Sequence, residues 1–482
     1  MLSTERFLWP ESIATVDRLA AERLLKPYCD ATLEEAIFLA FLIHASRTGY
    51  PCIKISASQI TPLPNENLIP SILEGAKRVP SNLILRLEEQ YYLPHQFSLQ
   101  KTCFEEWERL TKAHSLFPLT APPEIEGLTE EQAQAVKIGC QSLVFILTGG
   151  PGTGKTHTAG RLLKALQKDS KQIAIAAPTG KAALTLEKSL ENSFGCNLKA
   201  KTLHALLGVK ADGSFPERLT ALPYDIILID EASMINTEMM TRLLSSIKTG
   251  AQLFLMGDPH QLPPVEGTPI FPLLVEKHTA KVKLTKCLRA ETKELVEFAE
   301  SIRQGATLTS NSSVQFLADS LETVLAQHLN FFPQKILSEN ELLSAFQKFR
   351  ILTPLKVGPS GSIAVNQWIR KRLYKEGINA VPIMITANDY RLELFNGEVG
   401  ILLTGFNSPE KEYVYFASGK KLPALLLPSY ELAYAMTVHK SQGSEFDQVL
   451  LLLPNVPASK SIPLLYTAVT RARKKILFWQ ET

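Results

Sequence analysis

Apolar and polar positions change their rhythm along this chain, and the changes divide it into parts. Near the start, Thr32 is followed three residues later by Glu35 in the form of a capping box, and the apolar run Ala36 to Ile43 comes next. That pattern predicts a capped, buried helix, too short to cross a bilayer. Residues 1–115 carry helix signals and no catalytic motif, and are expected to form a small helical domain. Pro118, Pro122 and Pro123 crowd residues 116–127, a composition that suits a stiff, exposed connector.

From Leu128 onward short apolar runs alternate with helical stretches, the mark of a parallel sheet flanked by helices. The runs Leu143 to Thr148, Ile173 to Ala177, Ile226 to Ile229 and Leu253 to Met256 each end in a polar or Gly-rich motif. Ligands in open α/β sheets sit beyond the carboxyl ends of strands, so these motifs are expected to converge on one crevice. A second set of runs, Ile351 to Thr353, Ala433 to Thr437, Val449 to Leu453 and Ile476 to Trp479, follows Arg289. The expected fold class is α/β, with one lobe over 128–288 and a similar one over 289–482. Over about 386–431 the rhythm breaks into β-like pieces such as Val399 to Leu403 and Tyr413 to Phe416, joined by Gly, Asn, Ser and Pro turns. A small barrel inserted in the second lobe is the expectation there.

The strongest chemical signal is the segment Gly149, Gly150, Pro151, Gly152, Thr153, Gly154, Lys155, Thr156, a P-loop with an apolar strand before it and a helix after. Its glycines let backbone N–H groups face phosphates at the positive end of the helix dipole. Lys155 is expected to reach the β- and γ-phosphates of ATP, and Thr156 to hold Mg²⁺. Asp230 and Glu231 follow the run Ile226 to Ile229; there one carboxylate binds the Mg²⁺ and the next orients the attacking water. Gln261 ends the following strand, where it can sense the γ-phosphate.

The 482 residues, 45% hydrophobic and 21% charged, suffice for roughly three or four domains of usual size. A net charge of +3 is too small for a polybasic nucleic-acid binder, so any DNA contact must be a local groove. The six cysteines, Cys29, Cys52, Cys103, Cys140, Cys196 and Cys287, show neither a C-x-x-C pair nor metal-ligand spacing. The first residues lack the basic start and apolar block of a secretion signal, and a cytoplasmic protein is expected.

Further motifs give the chain a resemblance to a family. Gln132 in its Leu128-Thr-Glu-Glu-Gln context, the stretch Ala177 to Ala183, Thr202 to Ala205, Asp230 to Ser233 and Gly257 to Pro263 resemble, in order, the first-lobe motifs of the RecD-type helicases of superfamily 1. Leu394 to Gly397, Thr437 to Phe446 and Tyr466 to Arg473 resemble those of the second lobe.

The resemblance implies two RecA-like motor domains, an SH3-like insertion and an amino-terminal domain that docks on a partner. It implies an ATP-dependent 5′ to 3′ DNA helicase working on duplex ends beside RecB-like and RecC-like subunits in break repair and recombination, with nuclease activity in another subunit. It assigns Gln132 to adenine, adds Gln442 and Glu445 to the nucleotide side, and makes Arg471 and Arg289 the arginines of hydrolysis, although Ala290 stands where the family usually has glutamine. It assigns Thr179, Lys181, His204, Thr353, Thr437 and His439 to single-stranded DNA, and Ala211 to Leu219 to a duplex-splitting pin. Two alternatives stay open: a standalone RecD-like helicase, whose amino-terminal region is usually longer, and a P-loop ATPase that is not a motor.

Overall fold

The computed structural model describes residues 10, 13–56, 59–114, 124–166, 172–195, 198–210, 214–216, 220–287, 293–306, 308–332, 338–375, 379–389, 391–404, 412–455 and 461–481. Arg289, most of Ala211 to Leu219 and most of the proline-bearing connector lie outside these.

The first part of the chain is mixed rather than helical. Helices α1 (Thr15–Leu25), α2 (Leu33–Arg47) and α3 (Ile69–Arg78) accompany a four-stranded antiparallel sheet of β1 (Ile53–Ile55), β2 (Ile60–Thr61), β3 (Leu85–Leu87) and β4 (Gln90–Tyr92), in the order β2-β1-β4-β3. Strands of two or three residues carry too little alternation to be read from sequence. The capping box is present, with Thr32 Oγ1 accepting from Glu35 N and the Glu35 carboxylate accepting from Thr32 N at 2.6 Å. A helix that is apolar all round belongs in a core. Ala36, Phe38, Leu39 and Ala40 are completely enclosed by the other elements of this part, so the apolarity of α2 needs no external partner to cover it.

After α4 (Pro94–Thr111) comes a six-stranded parallel sheet with helices on its faces: α5 (Glu130–Gln141), β5 (Val144–Gly149), α6 (Lys155–Leu166), β6 (Ile173–Ala177), α7 (Gly180–Phe194), β7 (Ala200–Thr202), α8 (Leu203–Leu206), β8 (Ile226–Ile229), α9 (Thr237–Ser246), β9 (Gln252–Gly257), α10 (Phe271–Lys277) and β10 (Lys281–Leu284). Its order is β10-β5-β9-β8-β6-β7. Strands β5, β8 and β9 are buried along their whole length, which is why they read as continuous apolar runs.

Helix α4 belongs with this sheet in packing, although it precedes the expected boundary at 115. Its Cys103, Trp107 and Leu110 share a core with Ile146, Ile227 and Leu253. Trp107 meets His278 edge-on at 5.1 Å, and Arg109 donates to the Leu244 and Ile247 carbonyls at 2.8 and 3.1 Å. Two truncations are therefore expected to differ. A chain starting at Leu128 loses that core cover and should melt well below one starting at Pro94, since removing a buried tryptophan alone costs ~3–5 kcal/mol. Thermal melts of the two fragments check this, and equal midpoints would contradict it.

A second, five-stranded parallel sheet follows, in the order β11-β20-β19-β12-β18. Its elements are α11 (Lys293–Arg303), β11 (Val314–Leu317), α12 (Leu321–Gln327), α13 (Glu339–Lys348), β12 (Phe349–Thr353), α14 (Ser362–Lys375), β18 (Ala435–Thr437), β19 (Phe446–Leu453), α15 (Ile462–Val469) and β20 (Ala472–Gln480). Between α14 and β18 lies an antiparallel sheet, β16-β15-β14-β13-β17, built from β13 (Ala380–Ile385), β14 (Val399–Leu403), β15 (Tyr413–Phe416), β16 (Lys421–Pro423) and β17 (Tyr430–Leu432). It starts at Ala380, before the expected 386; Pro382 lies inside β13 and hides that strand in the sequence, since proline cannot donate to a ladder. Among the described residues no helix is long and apolar enough to cross a membrane.

Candidate functional site

The P-loop joins the end of β5 to the start of α6. Gly152 and Gly154 have φ of +75° and +84°, left-handed values that a side chain would resist. Lys155 Nζ donates to the loop's own carbonyls, Gly149 O at 2.7 Å and Gly150 O at 3.1 Å, and Thr153 Oγ1 donates to Gly150 O at 2.8 Å. Thr156 stands in the first turn of α6. Gln132, expected on adenine, is buried beneath the loop: its Oε1 accepts from Thr129 N at 3.1 Å and its Nε2 donates to Thr153 O at 3.4 Å. In this geometry its amide braces the loop.

Asp230 and Glu231 leave the end of β8 beside the P-loop. Desolvation, and after it the charge of Glu231, raises the pKa of the Asp230 carboxyl, while Lys155 pulls the other way. Asp230 Oδ1 accepts from Glu231 N at 2.8 Å, and Glu231 has φ +51°, a strained conformation for a residue with a side chain, costing ~1–3 kcal/mol. Thr156 and Asp230 supply hydroxyl and carboxylate oxygens, the hard donors that Mg²⁺ takes in small number beside substrate phosphates. At the end of β9, Gln261 is buried and its Oε1 has no acceptor or donor partner.

The two parallel sheets meet at this end of the strands. Tyr466 OH donates to Asp258 Oδ2 at 2.8 Å, Leu262 N to Thr467 Oγ1 at 2.8 Å, and Gln442 Nε2 to Leu262 O at 3.2 Å. Lys181 Nζ reaches Ser444 Oγ at 2.5 Å, and Gly180 lies so close to Phe395 that an added Cβ would fall 2.4 Å from the Phe395 Cβ. Burial together with the Asp258 carboxylate raises the Tyr466 pKa, so the phenol stays a donor. Tyr466→Phe is expected to leave the buried Asp258 carboxylate short of a donor and to destabilise the seam by ~1–3 kcal/mol. A melting midpoint equal to that of the native chain would contradict this.

Arg471 is buried but turned into its own lobe: Nε donates to Thr467 O at 3.1 Å, Nη1 to Ser444 O at 3.3 Å and Nη2 to Thr470 Oγ1 at 3.3 Å. Glu445 pairs with Arg473 at 3.2 Å.

The residues expected on DNA are placed unequally. His204 is exposed, and Thr437 and His439 are partly so; burial lowers the His439 pKa and favours its neutral form. Thr179 caps α7 by accepting from Ala182 N at 3.2 Å. Burial, then Arg350 and Arg471, pushes the Lys181 ammonium down to about 8, and its bond to Ser444 puts it on the seam. Thr353 is the clear correction. It is wholly enclosed, donating to Ser360 O at 2.9 Å and accepting from Leu355 N at 3.3 Å, so its hydroxyl organises a loop and presents nothing to a nucleic acid. The seam contacts of Tyr466, Thr467 and Ser444 have no signal in the sequence beyond membership of two second-lobe motifs.

Residues 127–322 match the family described as AAA domain, and residues 432–478 match the UvrD-like helicase C-terminal domain. The RecBCD enzyme subunit RecD of Mycolicibacterium smegmatis is 31% identical, over 97% of this chain and 93% of that protein. The RecBCD enzyme subunit RecD of Mycobacterium tuberculosis is 33% identical, over 72% of this chain and 68% of that protein. The ATP-dependent RecD2 DNA helicase of Deinococcus radiodurans is 30% identical, over 73% of this chain and 48% of that protein. A P-loop, a carboxylate pair and a helicase-type carboxyl-terminal segment closing on one cleft define a superfamily 1 helicase. Within that class, the chain belongs to the RecD family.

Proposed function

We propose that this chain is an ATP-driven DNA helicase whose two parallel-sheet lobes are RecA-like motor domains, with the antiparallel sheet over 380–432 serving as an SH3-like insertion. The observation that carries it is the cleft itself, with Gly150, Pro151 and Thr153 of the P-loop on one wall and Tyr466, Val469, Thr470 and Ala472 of the second lobe on the other. A P-loop switch or scaffold has no use for that second wall.

Backbone N–H groups of the P-loop hold the phosphates of ATP, and Lys155 exchanges the Gly149 and Gly150 carbonyls for the β- and γ-phosphates. Thr156 and Asp230 would hold Mg²⁺, which would supply positive charge beside the terminal phosphate. Glu231 orients the attacking water. Gln261 answers to the terminal phosphate, and because it lies in the loop that contacts Tyr466, Thr467 and Gln442, loss of that phosphate alters the seam between the lobes. Arg471 must turn from the Thr467 and Ser444 carbonyls toward the phosphate for its charge to count. Thr179, His204, Thr437 and His439 follow the path of single-stranded DNA, held through phosphates and stacking with little regard to base sequence.

In the cell the chain is proposed to act in the cytoplasm, bound to RecB-like and RecC-like subunits at duplex DNA ends, as the names of its relatives suggest. Tailed duplexes test the motor: those with a 5′ single-stranded tail should be opened and those with only a 3′ tail left intact, and the reverse preference would refute the direction. Co-purification from native cells tests the complex. Recovery of the chain without large partners would favour the standalone alternative.

A further inference from the structure

Helix α11 brings a cation, Arg303, to the cavity between the lobes. This cavity of about 300 Å³ has Gly150, Pro151 and Thr153 on its first-lobe side and Tyr466, Glu300 and Arg303 on the other. Lys283 also borders it but is exposed, so Arg303, only partly exposed, is the less exposed of the two cations among the described lining residues. Arg303 Nη1 donates to Glu300 Oε2 at 2.6 Å, while its Nε is buried without an acceptor. A buried donor left without an acceptor is costly, and a charged one more so. Arg471 differs, because each of its three nitrogens has an oxygen of its own lobe.

Arg303 shares this cavity with Gly150 and Pro151 of the loop. Lys155, which in P-loops reaches the β- and γ-phosphates, lies on the Gly150 carbonyl, and Gly150 is one wall of the cavity. His260 and Tyr466, on either side of Asp258, both feel the charge of Arg303. We propose that Arg303 is a nucleotide-contacting residue that reads the terminal phosphate of ATP across the cleft, with Glu300 holding the guanidinium until the phosphate replaces it. A planar guanidinium with an open donor is suited to a phosphate, which offers oxygens in the matching geometry. The inference rests on the ATP site proposed above.

Binding of ATPγS and of ADP to the full chain with Mg²⁺, measured by titration calorimetry, tests it. Arg303→Gln should weaken ATPγS by about tenfold or more, the worth of one charge-assisted hydrogen bond, and leave ADP unchanged. Arg303→Lys should recover part of the loss, and Glu300→Gln, which frees the guanidinium, should tighten ATPγS. An unchanged ratio of ATPγS to ADP affinity in Arg303→Gln, or a parallel fall for both nucleotides, would overturn the inference. So would Glu300→Gln weakening ATPγS as much as Arg303→Gln does, since the pair would then be only a packing element. Wild-type binding unaffected by Lys155→Gln would instead refute the ATP site itself; binding lost in Lys155→Gln but indifferent to Arg303 would leave the site standing and remove only Arg303 from it.

Discussion

Arg471→Ala is expected to lower DNA-stimulated ATP turnover by ~10³–10⁵, the range spanned by arginines that cross a cleft to a transferring phosphoryl group. Nucleotide affinity should change far less, because such a charge acts mainly on the transition state. The structure adds a complication that the test must separate. Arg471 also ties the Thr467 and Ser444 carbonyls; Thr467 O keeps the Thr470 hydroxyl at 2.9 Å, so removal leaves the Ser444 carbonyl short of its donor, at ~1–3 kcal/mol. Arg471→Lys retains a charge near those carbonyls but lacks the guanidinium fork. Both variants should bind ATPγS and melt as cooperative folded proteins, and both should hydrolyse poorly. Normal turnover in Arg471→Ala would make the residue a brace of the second lobe and nothing more.

Lys155→Gln is expected to reduce ATP turnover by at least ~10²–10³, the usual loss when one preorganised donor to developing charge is removed, and to abolish unwinding with it. The fold should survive. Lys155 Nζ touches the Gly149 and Gly150 carbonyls, and the glutamine amide can still donate to one of them. A thermal melt beside a turnover assay at saturating single-stranded DNA separates the two effects. Equal turnover in variant and native chain would remove the lysine from the nucleotide site.

Much of the architecture is written in the sequence, and what is missing is missing for physical reasons. Strands β5, β6, β8 and β9 are central in the first sheet and buried on both faces, so their apolar runs can be read to within a residue or two of their ends. Two of the strands not legible in the sequence lie at edges where burial is one-sided, and a third, β13, is buried along its whole length but carries a proline. Edge strand β10 alternates as Lys281, Val282, Lys283, Leu284 with only the apolar pair buried, edge strand β11 buries fully only Val314, and β13 contains Pro382. Helix α4 looks like part of the amino-terminal region because sequence order says so, yet Trp107 and Arg109 commit it to the first parallel sheet.

The site divides in the same way. The P-loop and the Asp230 pair are local patterns and legible as such. The seam is not, because Tyr466 finds Asp258 across 208 positions and Lys181 finds Ser444 across 263; only the folded chain brings them together. Arg303, in an ordinary amphipathic helix, has no motif at all. Thr353 shows the converse, a position assigned to DNA by resemblance whose hydroxyl the fold spends on its own loop.

ATP hydrolysis by the purified full chain, with and without single-stranded DNA, is the most direct test of a motor that couples nucleotide to DNA through this cleft. Turnover should rise steeply when DNA is added, and that DNA-dependent part should vanish in Lys155→Gln. Turnover indifferent to DNA, or a DNA response that survives the loss of Lys155, would contradict the motor.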